Sequence, residues 1–353
     1  MRGTVFVGLS GGVDSSVSAA LLRNAGYDIT GVFIKIWQPE FLECTWREDR
    51  VEAMRAAAVL GIPFLEVDLS ASYKREVIDV MLADYTSGIT PNPDMLCNRH
   101  VKFGEFIRWA RSHGAEMIAT GHYARTVLAV GGAELMRGID GAKDQSYFLS
   151  GMERDALGAV LFPIGDMTKR EVRALAERYE LPAAKRPDSQ GLCFVGEVTM
   201  ADFLRRYIPV KRGDVLDLRG TRIGEHDGAA LYTVGQRHGF SVTDTDAALR
   251  TQYYVVRVDA RSNTLVVSAE RSDAAVREVA LTDLRWLIDE PRVPCTVHGQ
   301  TRYRDLAAPI ELRKAGETYI ARFETPRIVA SGQTLAFYDG ERCLGSATMR
   351  RSE

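Results

Sequence analysis

An α/β architecture, a doubly wound parallel sheet followed by two smaller β-rich domains, is what this sequence predicts, and three observations carry it. Residues 1 to about 205 alternate short apolar runs with helical segments. That βαβ rhythm requires parallel strands with helices on both faces. The first apolar run, Val5-Phe6-Val7-Gly8-Leu9, feeds into Ser10-Gly-Gly-Val-Asp-Ser15, a glycine-rich turn that opens a helix. From about Lys211 the texture changes to short alternating stretches broken by Gly and Asp, the pattern of antiparallel β-structure.

Taken in order, Val13 to Ala25 reads as a helix ended by Gly26, and Ile29 to Trp37 as the second strand. Arg47 to Leu60 carries an Ala-rich helical stripe ended by Gly61, and Pro63 to Leu69 is the third strand. Ser72 to Tyr85 and Asn98 to His113 have helical spacing, and Met117 to Ala119 is the fourth strand. Lys169 to Tyr179 and Glu197 to Tyr207 read as further helices. Gln252 to Val258 and Thr264 to Ser268 are strands of a central block. Thr296 to Tyr303, Tyr319 to Phe323 and Thr334 to Tyr338 belong to a last block, a small barrel or sandwich. The expected domains are 1–207, 208–275 and 276–353.

Composition is that of a globular protein, 46% hydrophobic and 26% charged over 353 residues, enough chain for two or three domains with sizeable cores. No apolar run approaches the roughly 20 residues of a bilayer-spanning helix. Arg2 is followed at once by the first strand, so the start reads as mature and the expected location is cytoplasmic, with no membrane partner. A net charge of −2 does not advertise nucleic-acid binding. Yet Lys169, Arg170, Arg173, Lys185, Arg186, Arg205, Arg206, Lys211 and Arg212 make a locally basic stretch able to meet phosphates. The five cysteines, Cys44, Cys97, Cys193, Cys295 and Cys343, are odd in number and widely separated. They form neither a disulfide framework nor a Cys-x-x-Cys metal site, so no metal ligands are expected.

In an open parallel sheet the ligand sits beyond the carboxyl ends of the strands. By that rule the Ser10 loop, the segment after Trp37 and Thr120-Gly121-His122 converge on one nucleotide site. The N–H groups of a glycine-rich turn and a helix N-terminus suit phosphate oxygens. The loop lacks the Gly-Lys-Ser/Thr ending of a Walker A motif. It resembles instead the loop of the PP-loop ATP pyrophosphatases, which cleave between the α and β phosphates. Two further motifs hold cysteines. Thr90-Pro-Asn-Pro-Asp-Met-Leu-Cys97 places Cys97 after a proline-stiffened loop and just before the expected helix, where a thiol gains thiolate character, with Asp94 three residues earlier as a proton acceptor. Asp188-Ser-Gln-Gly-Leu-Cys193 places the second cysteine in a loop between two helices. Taken alone, each cysteine reads more readily as a buried, inert thiol than as a reactive one.

Along its whole length the chain resembles the tRNA-specific 2-thiouridylases. The resemblance rests on Ser10 to Ser16, Thr90 to Cys97 with Lys102-Phe103, Ala119-Thr-Gly-His-Tyr-Ala-Arg125, Lys143-Asp-Gln-Ser-Tyr-Phe-Leu149, Asp188-Ser-Gln190 with Cys193-Phe194, Tyr232-Thr-Val-Gly-Gln-Arg237, Arg302-Tyr-Arg304 and Gly332-Gln333. It implies a PP-loop domain followed by two β-rich domains that contact tRNA, the last a small β-barrel. It also implies ATP with Mg²⁺, and wobble-uridine tRNAs, the Lys, Glu and Gln acceptors, as substrates. A persulfide donor, such as a cysteine desulfurase or sulfur-relay protein, would load the enzyme. Carried over by position, Gly8, Leu9, Ser10, Gly11, Gly12, Val13, Asp14, Ser15, Ile34 and Gly121 hold ATP. Cys97 is the nucleophile, Cys193 the persulfide carrier and Asp94 an acid or base. Asn92, Pro93 and Asp94 meet the target base, and His122, Lys143, Asp144, Gln145, Arg302, Tyr303 and Gln333 meet tRNA.

The chain departs from that family in Phe33-Ile34-Lys35-Ile36-Trp37-Gln38-Pro39, where Met in place of Ile34 and an acidic pair after Trp are usual, and at Trp46, where a small residue is usual. Ile34 preserves an apolar wall, so ATP use is expected to survive. Two rival readings share some of these residues. Another PP-loop ligase acting on a carboxylate would use the Ser10 loop but has no need of two placed cysteines. A tRNA-binding protein with a decayed ATP site would not need an intact loop.

Overall fold

The computed structural model describes residues 2–41, 46–187, 198–243 and 252–352. Cys44, Cys193 and Asp188-Ser-Gln190 lie outside the described residues. Five parallel strands, β1 (Thr4–Gly8), β2 (Asp28–Lys35), β3 (Phe64–Asp68), β4 (Met117–Ala119) and β7 (Val160–Leu161), form the first sheet in the order β3-β2-β1-β4-β7. Strand order reverses between β1 and β4, which opens the binding crevice at the end of β1. Alternation along β1 divides the core. Val5 and Val7 pack with helices α1 (Val13–Asn24) and α2 (Trp46–Leu60), while Phe6 faces the helical stretches 70–86 and 93–112, as a two-residue side-chain period requires.

The stretches 70–86 and 93–112 each contain a π-helical segment, Lys74–Asp79 and Cys97–Glu105. Such bulges concentrate at functional positions. The second segment uses Gly104, where a Cβ would stand 2.9 Å from the Arg99 carbonyl oxygen. This corrects the expectation that Cys97 precedes its helix. The helix starts at Pro93, preset by its ring at the first position, with the Asn92 side chain accepting from Met95 N–H at 3.3 Å.

Two further strands, β5 (Ala124–Ala129) and β6 (Gly132–Arg137), form a hairpin that leaves the first domain. Strands β8 (Gly213–Leu216), β9 (Arg222–His226), β10 (Phe240–Val242), β11 (Tyr254–Asp259) and β12 (Thr264–Ser268) make the central sheet, in the order β10-β9-β8-β12-β11. The last block holds β13 (Ala275–Trp286), β14 (Cys295–Gln300), β15 (Ala308–Ala315), β16 (Thr318–Ile328), β17 (Thr334–Asp339) and β18 (Arg342–Arg350). Because β13 pairs with both β16 and β18, these six strands close into a barrel, which removes free edges. The hairpin then adds to the barrel through β6, with Cys343 opposite Leu135. Leu287, Ala336, Tyr338 and Cys343 of the barrel share one core with Phe6 and Phe106 of the first domain. Among the described residues no helix is long and apolar enough to cross a membrane.

Candidate active site

The loop after β1 is shaped by close approaches that exclude side chains. Gly11 has φ +76°, and a Cβ there would stand 2.4 Å from the Asp49 carbonyl oxygen. Gly121, just beyond β4, would place a Cβ 2.6 Å from the Ser15 nitrogen and 2.7 Å from the Asp14 carbonyl carbon. Only glycine lets the end of β4 lie against the start of α1. Ser15 Oγ accepts from Ser10 N–H at 3.2 Å and donates to the Gly12 carbonyl at 3.2 Å. α1 opens at Gly12 without a side-chain cap. Its first N–H groups and positive dipole end therefore face the crevice, a setting suited to phosphate. Asp14 turns aside. Its carboxylate accepts from Lys169 Nζ at 2.7 and 2.9 Å and from the Tyr123 hydroxyl at 2.9 Å, which fixes the loop from below. Ile34 lies at the carboxyl end of β2, half-buried, with Cδ1 in van der Waals range of Gly8.

The Cys97 helix and Arg186 both reach this loop. The helix that holds Cys97 carries Phe103, which packs against His122 with ring centroids 5.6 Å apart. His122 follows Gly121, the residue that touches α1. On the other side, Arg186 donates to the Gly11 carbonyl at 3.2 Å and to Asp49 Oδ1 at 2.6 Å. Arg173 in turn donates to the Arg186 carbonyl at 3.2 Å. Arg186 stands seven residues before Cys193. After Cys193, the helix Met200–Tyr207 packs Phe203 and Tyr207 edge-on to Trp37, beyond the end of β2. Trp37 thus packs on the helix Met200–Tyr207.

Cys97 is buried, at 5% exposure, one turn inside its helix. The dipole fades within the first turn, so the helix-terminus argument for its thiolate does not carry. Asp94 has its carboxyl pushed up by burial, with Lys102 opposing. His122, one of the positions expected to meet tRNA, is buried in this structure. It is enclosed by Phe103 and Phe162, its Nδ1 is 2.8 Å from the Thr120 hydroxyl, and burial drives its pKa well below the usual value. The unfolded imidazole protonates near pH 6.5 while the native one stays neutral, so acid favours unfolding. Thermal unfolding followed from about pH 7.5 to about pH 5 is expected to show a loss of stability that is smaller in His122→Gln.

The other positions divide by their partners. Asp144 is held by the protein itself. It is 8% exposed and accepts from Arg137 Nη1 at 2.7 Å, Gly138 N–H at 2.9 Å, and both the N–H and hydroxyl of Ser146 at 3.0 Å. No lone pair is left for RNA. Gln145 Oε1 accepts from Tyr123 N–H at 3.0 Å. Gln333 Nε2 donates to the carbonyls of Thr90 and Pro91, each at 2.9 Å, and so holds the Asn92-Pro93-Asp94 loop against the barrel. Arg302 is exposed, and Lys143 and Tyr303 are half-buried, with Tyr303 4.6 Å from the Phe148 ring. Of the remaining cysteines, Cys343 is fully buried and its thiol is pushed up to about 12, an inert group.

Three family models cover the chain in succession: the tRNA methyl transferase HUP domain over residues 3–197, the tRNA methyl transferase PRC-barrel domain over 201–269, and the aminomethyltransferase beta-barrel domain over 276–349. Relatives match along nearly the full length. The tRNA-specific 2-thiouridylase MnmA of Akkermansia muciniphila is 44% identical, covering 97% of this chain and 97% of the relative. The enzyme of the same name from Halorhodospira halophila is 43% identical, covering 98% of this chain and 92% of its own. The chain belongs to the tRNA-specific 2-thiouridylase family.

For a 2-thiouridylase, the residues that sequence reasoning did not place are those that tie motifs together. Lys169 and Arg186 stood in the basic stretch, without a sign that they turn inward to Asp14 and Gly11. Arg137 gave no signal. It bonds Asp144 and Gln300 and lies 3.6 Å over the Tyr338 ring, a junction made only in the folded chain.

Proposed function

We propose that this protein converts C2 of a tRNA wobble uridine to a thiocarbonyl, using ATP and a cysteine persulfide. What supports the reading is that Phe103, on the helix that holds Cys97, reaches Gly121 through His122, while Arg186, seven residues ahead of Cys193 in sequence, bonds the Gly11 carbonyl. Nucleotide chemistry and sulfur chemistry then share one crevice.

The loop N–H groups and the start of α1 hold the ATP phosphates, with Ile34 beside the adenine. The C2 oxygen of uracil attacks the α-phosphorus and pyrophosphate leaves, which turns a poor leaving oxygen into AMP. Mg²⁺ would supply charge neutralisation on the pyrophosphate. Among the described residues no group of three His, Cys, Asp or Glu stands as a dedicated cage, which suits an ion bound through the phosphates themselves. The terminal sulfur of a Cys193 persulfide attacks C2 and AMP departs, leaving a Cys193–S–S–C2 link. Cys97 attacks the Cys193 sulfur, the thiocarbonyl is released, and a Cys97–Cys193 disulfide remains for an external thiol to open. Alternatively, Cys97 first frees hydrosulfide from the persulfide; that route leaves the same disulfide. Asp94 moves the proton, a role supported by the rise that burial gives its carboxyl. Arg302, Tyr303 and Lys143 are the carried-over positions that reach the surface for RNA. Lys, Glu and Gln acceptors are the proposed tRNAs, a cysteine desulfurase or relay protein the proposed donor, and the cytoplasm the setting. In this reading 1–207 is catalytic, and 208–275 and 276–353 dock RNA.

Nucleoside mass spectrometry of tRNA after incubation with protein, ATP, Mg²⁺ and a sulfide source tests this. 2-Thiouridine formed only with ATP is expected. Thiolation without ATP, or none on any tRNA, would remove the reading.

A further inference from the structure

Where the central sheet hands over to the barrel, a groove of about 660 Å³ gathers Arg271, Arg277, Arg302 and Arg327 around a single lining carboxylate, Asp305. Among the described residues none of these four arginines has an ion-pair partner. Arg277 Nη1 donates to the Glu324 carbonyl and Arg302 Nη2 to the Ile328 carbonyl, each at 3.2 Å. These bonds orient a guanidinium without neutralising it. Other cations nearby on the barrel are paired: Arg313 with Glu278 at 2.9 Å and Lys314 with Glu290 at 3.3 Å. In a chain of net charge −2, four uncompensated arginines in one groove are a local field for polyanion.

The groove is built by three elements. Arg271 opens the turn Arg271–Ala274 after β12. That turn is fixed by Arg351, which donates to the Ala274 carbonyl at 2.6 Å and the Val329 carbonyl at 3.0 Å. Arg277 sits at a break in register between β13 and β16, where Val276 still opposes Arg327 and Glu278 opposes Arg322. A bulge re-aims the side chain it carries. The groove also adjoins the catalytic loop. A Cβ at Gly235 would lie 2.9 Å from Ile328 Cγ2 and 3.9 Å from Arg302 Nη2, and the neighbouring Thr233 hydroxyl is 3.0 Å from that of Thr90.

We propose that Arg271, Arg277 and Arg327 extend Arg302 into a phosphate-backbone track for the RNA substrate, along the flank of the loop that meets the target base. This rests on the tRNA reading above and adds a site to it. Binding of unmodified tRNA is measured against salt for wild type, Arg277→Gln/Arg327→Gln, Arg277→Lys/Arg327→Lys, and Arg222→Gln/Lys314→Gln. The last removes equal charge from paired positions. Each phosphate contact contributes about 0.7–0.9 to the slope of log affinity against log salt. The glutamine double variant is therefore expected to be shallower by about 1.4–1.8, with weaker binding. The lysine variant keeps the slope, because charge carries it, and the paired-site control matches wild type. An unchanged slope in the glutamine variant, or an equal fall in the control, would overturn the track. The wild-type slope is read without turnover, so a failure of thiolation leaves this outcome distinct.

Discussion

Asp144→Ala is expected to destabilise the protein by about 3–5 kcal/mol, the cost of leaving a buried charge without its partner. The carboxylate is 8% exposed, and the Arg137 guanidinium it holds is 23% exposed. That same guanidinium bonds Gln300 and covers Tyr338. The loss therefore strikes the joint where the β5–β6 hairpin of the first domain enters the barrel. Denaturant unfolding should show the shift directly. Because the four bonds to Asp144 all come from the protein, the fraction that remains folded is expected to keep wild-type tRNA affinity. A stable variant with weakened tRNA binding would instead place Asp144 among the RNA contacts.

Cys97→Ser and Cys193→Ser are expected to abolish sustained thiolation in different ways. An alcohol carries no sulfane sulfur, so Cys193→Ser should accept no persulfide while still adenylating bound tRNA, since the Ser10–Ser15 loop is untouched. ATP/pyrophosphate exchange in the presence of tRNA reads that step. Cys97→Ser should take up the persulfide on Cys193 and hold it, because no thiolate follows to release the product. Intact-protein mass spectrometry should show the added sulfur persisting. Turnover at the wild-type rate in the Cys97 variant would remove that residue from the chemistry.

Local pattern carried the parallel sheet, the loop after β1 and strand Thr264–Ser268, because period and turn residues are properties of neighbours in sequence. The start of the Cys97 helix was also legible. Asn92 followed by Pro93 is a cap followed by a preferred first residue, a signal that the reading passed over in favour of a start at Asn98. The hairpin was not legible. Its docking on the barrel pairs Leu135 with Cys343, partners separated by most of the chain. The buried settings of His122 and Asp144 were not legible for a related reason. A motif shows which residues occur together, whereas burial between Phe103 and Phe162, or four donors around one carboxylate, exists only after packing.

The account turns on the Cys97 and Cys193 sulfurs meeting in the crevice that activates the uridine. Peptide mapping under non-reducing conditions, after one turnover with tRNA, ATP and a persulfide donor and with no added thiol, tests this most directly. A Cys97–Cys193 disulfide formed in step with 2-thiouridine is the result predicted, and two free thiols beside thiolated tRNA would contradict it.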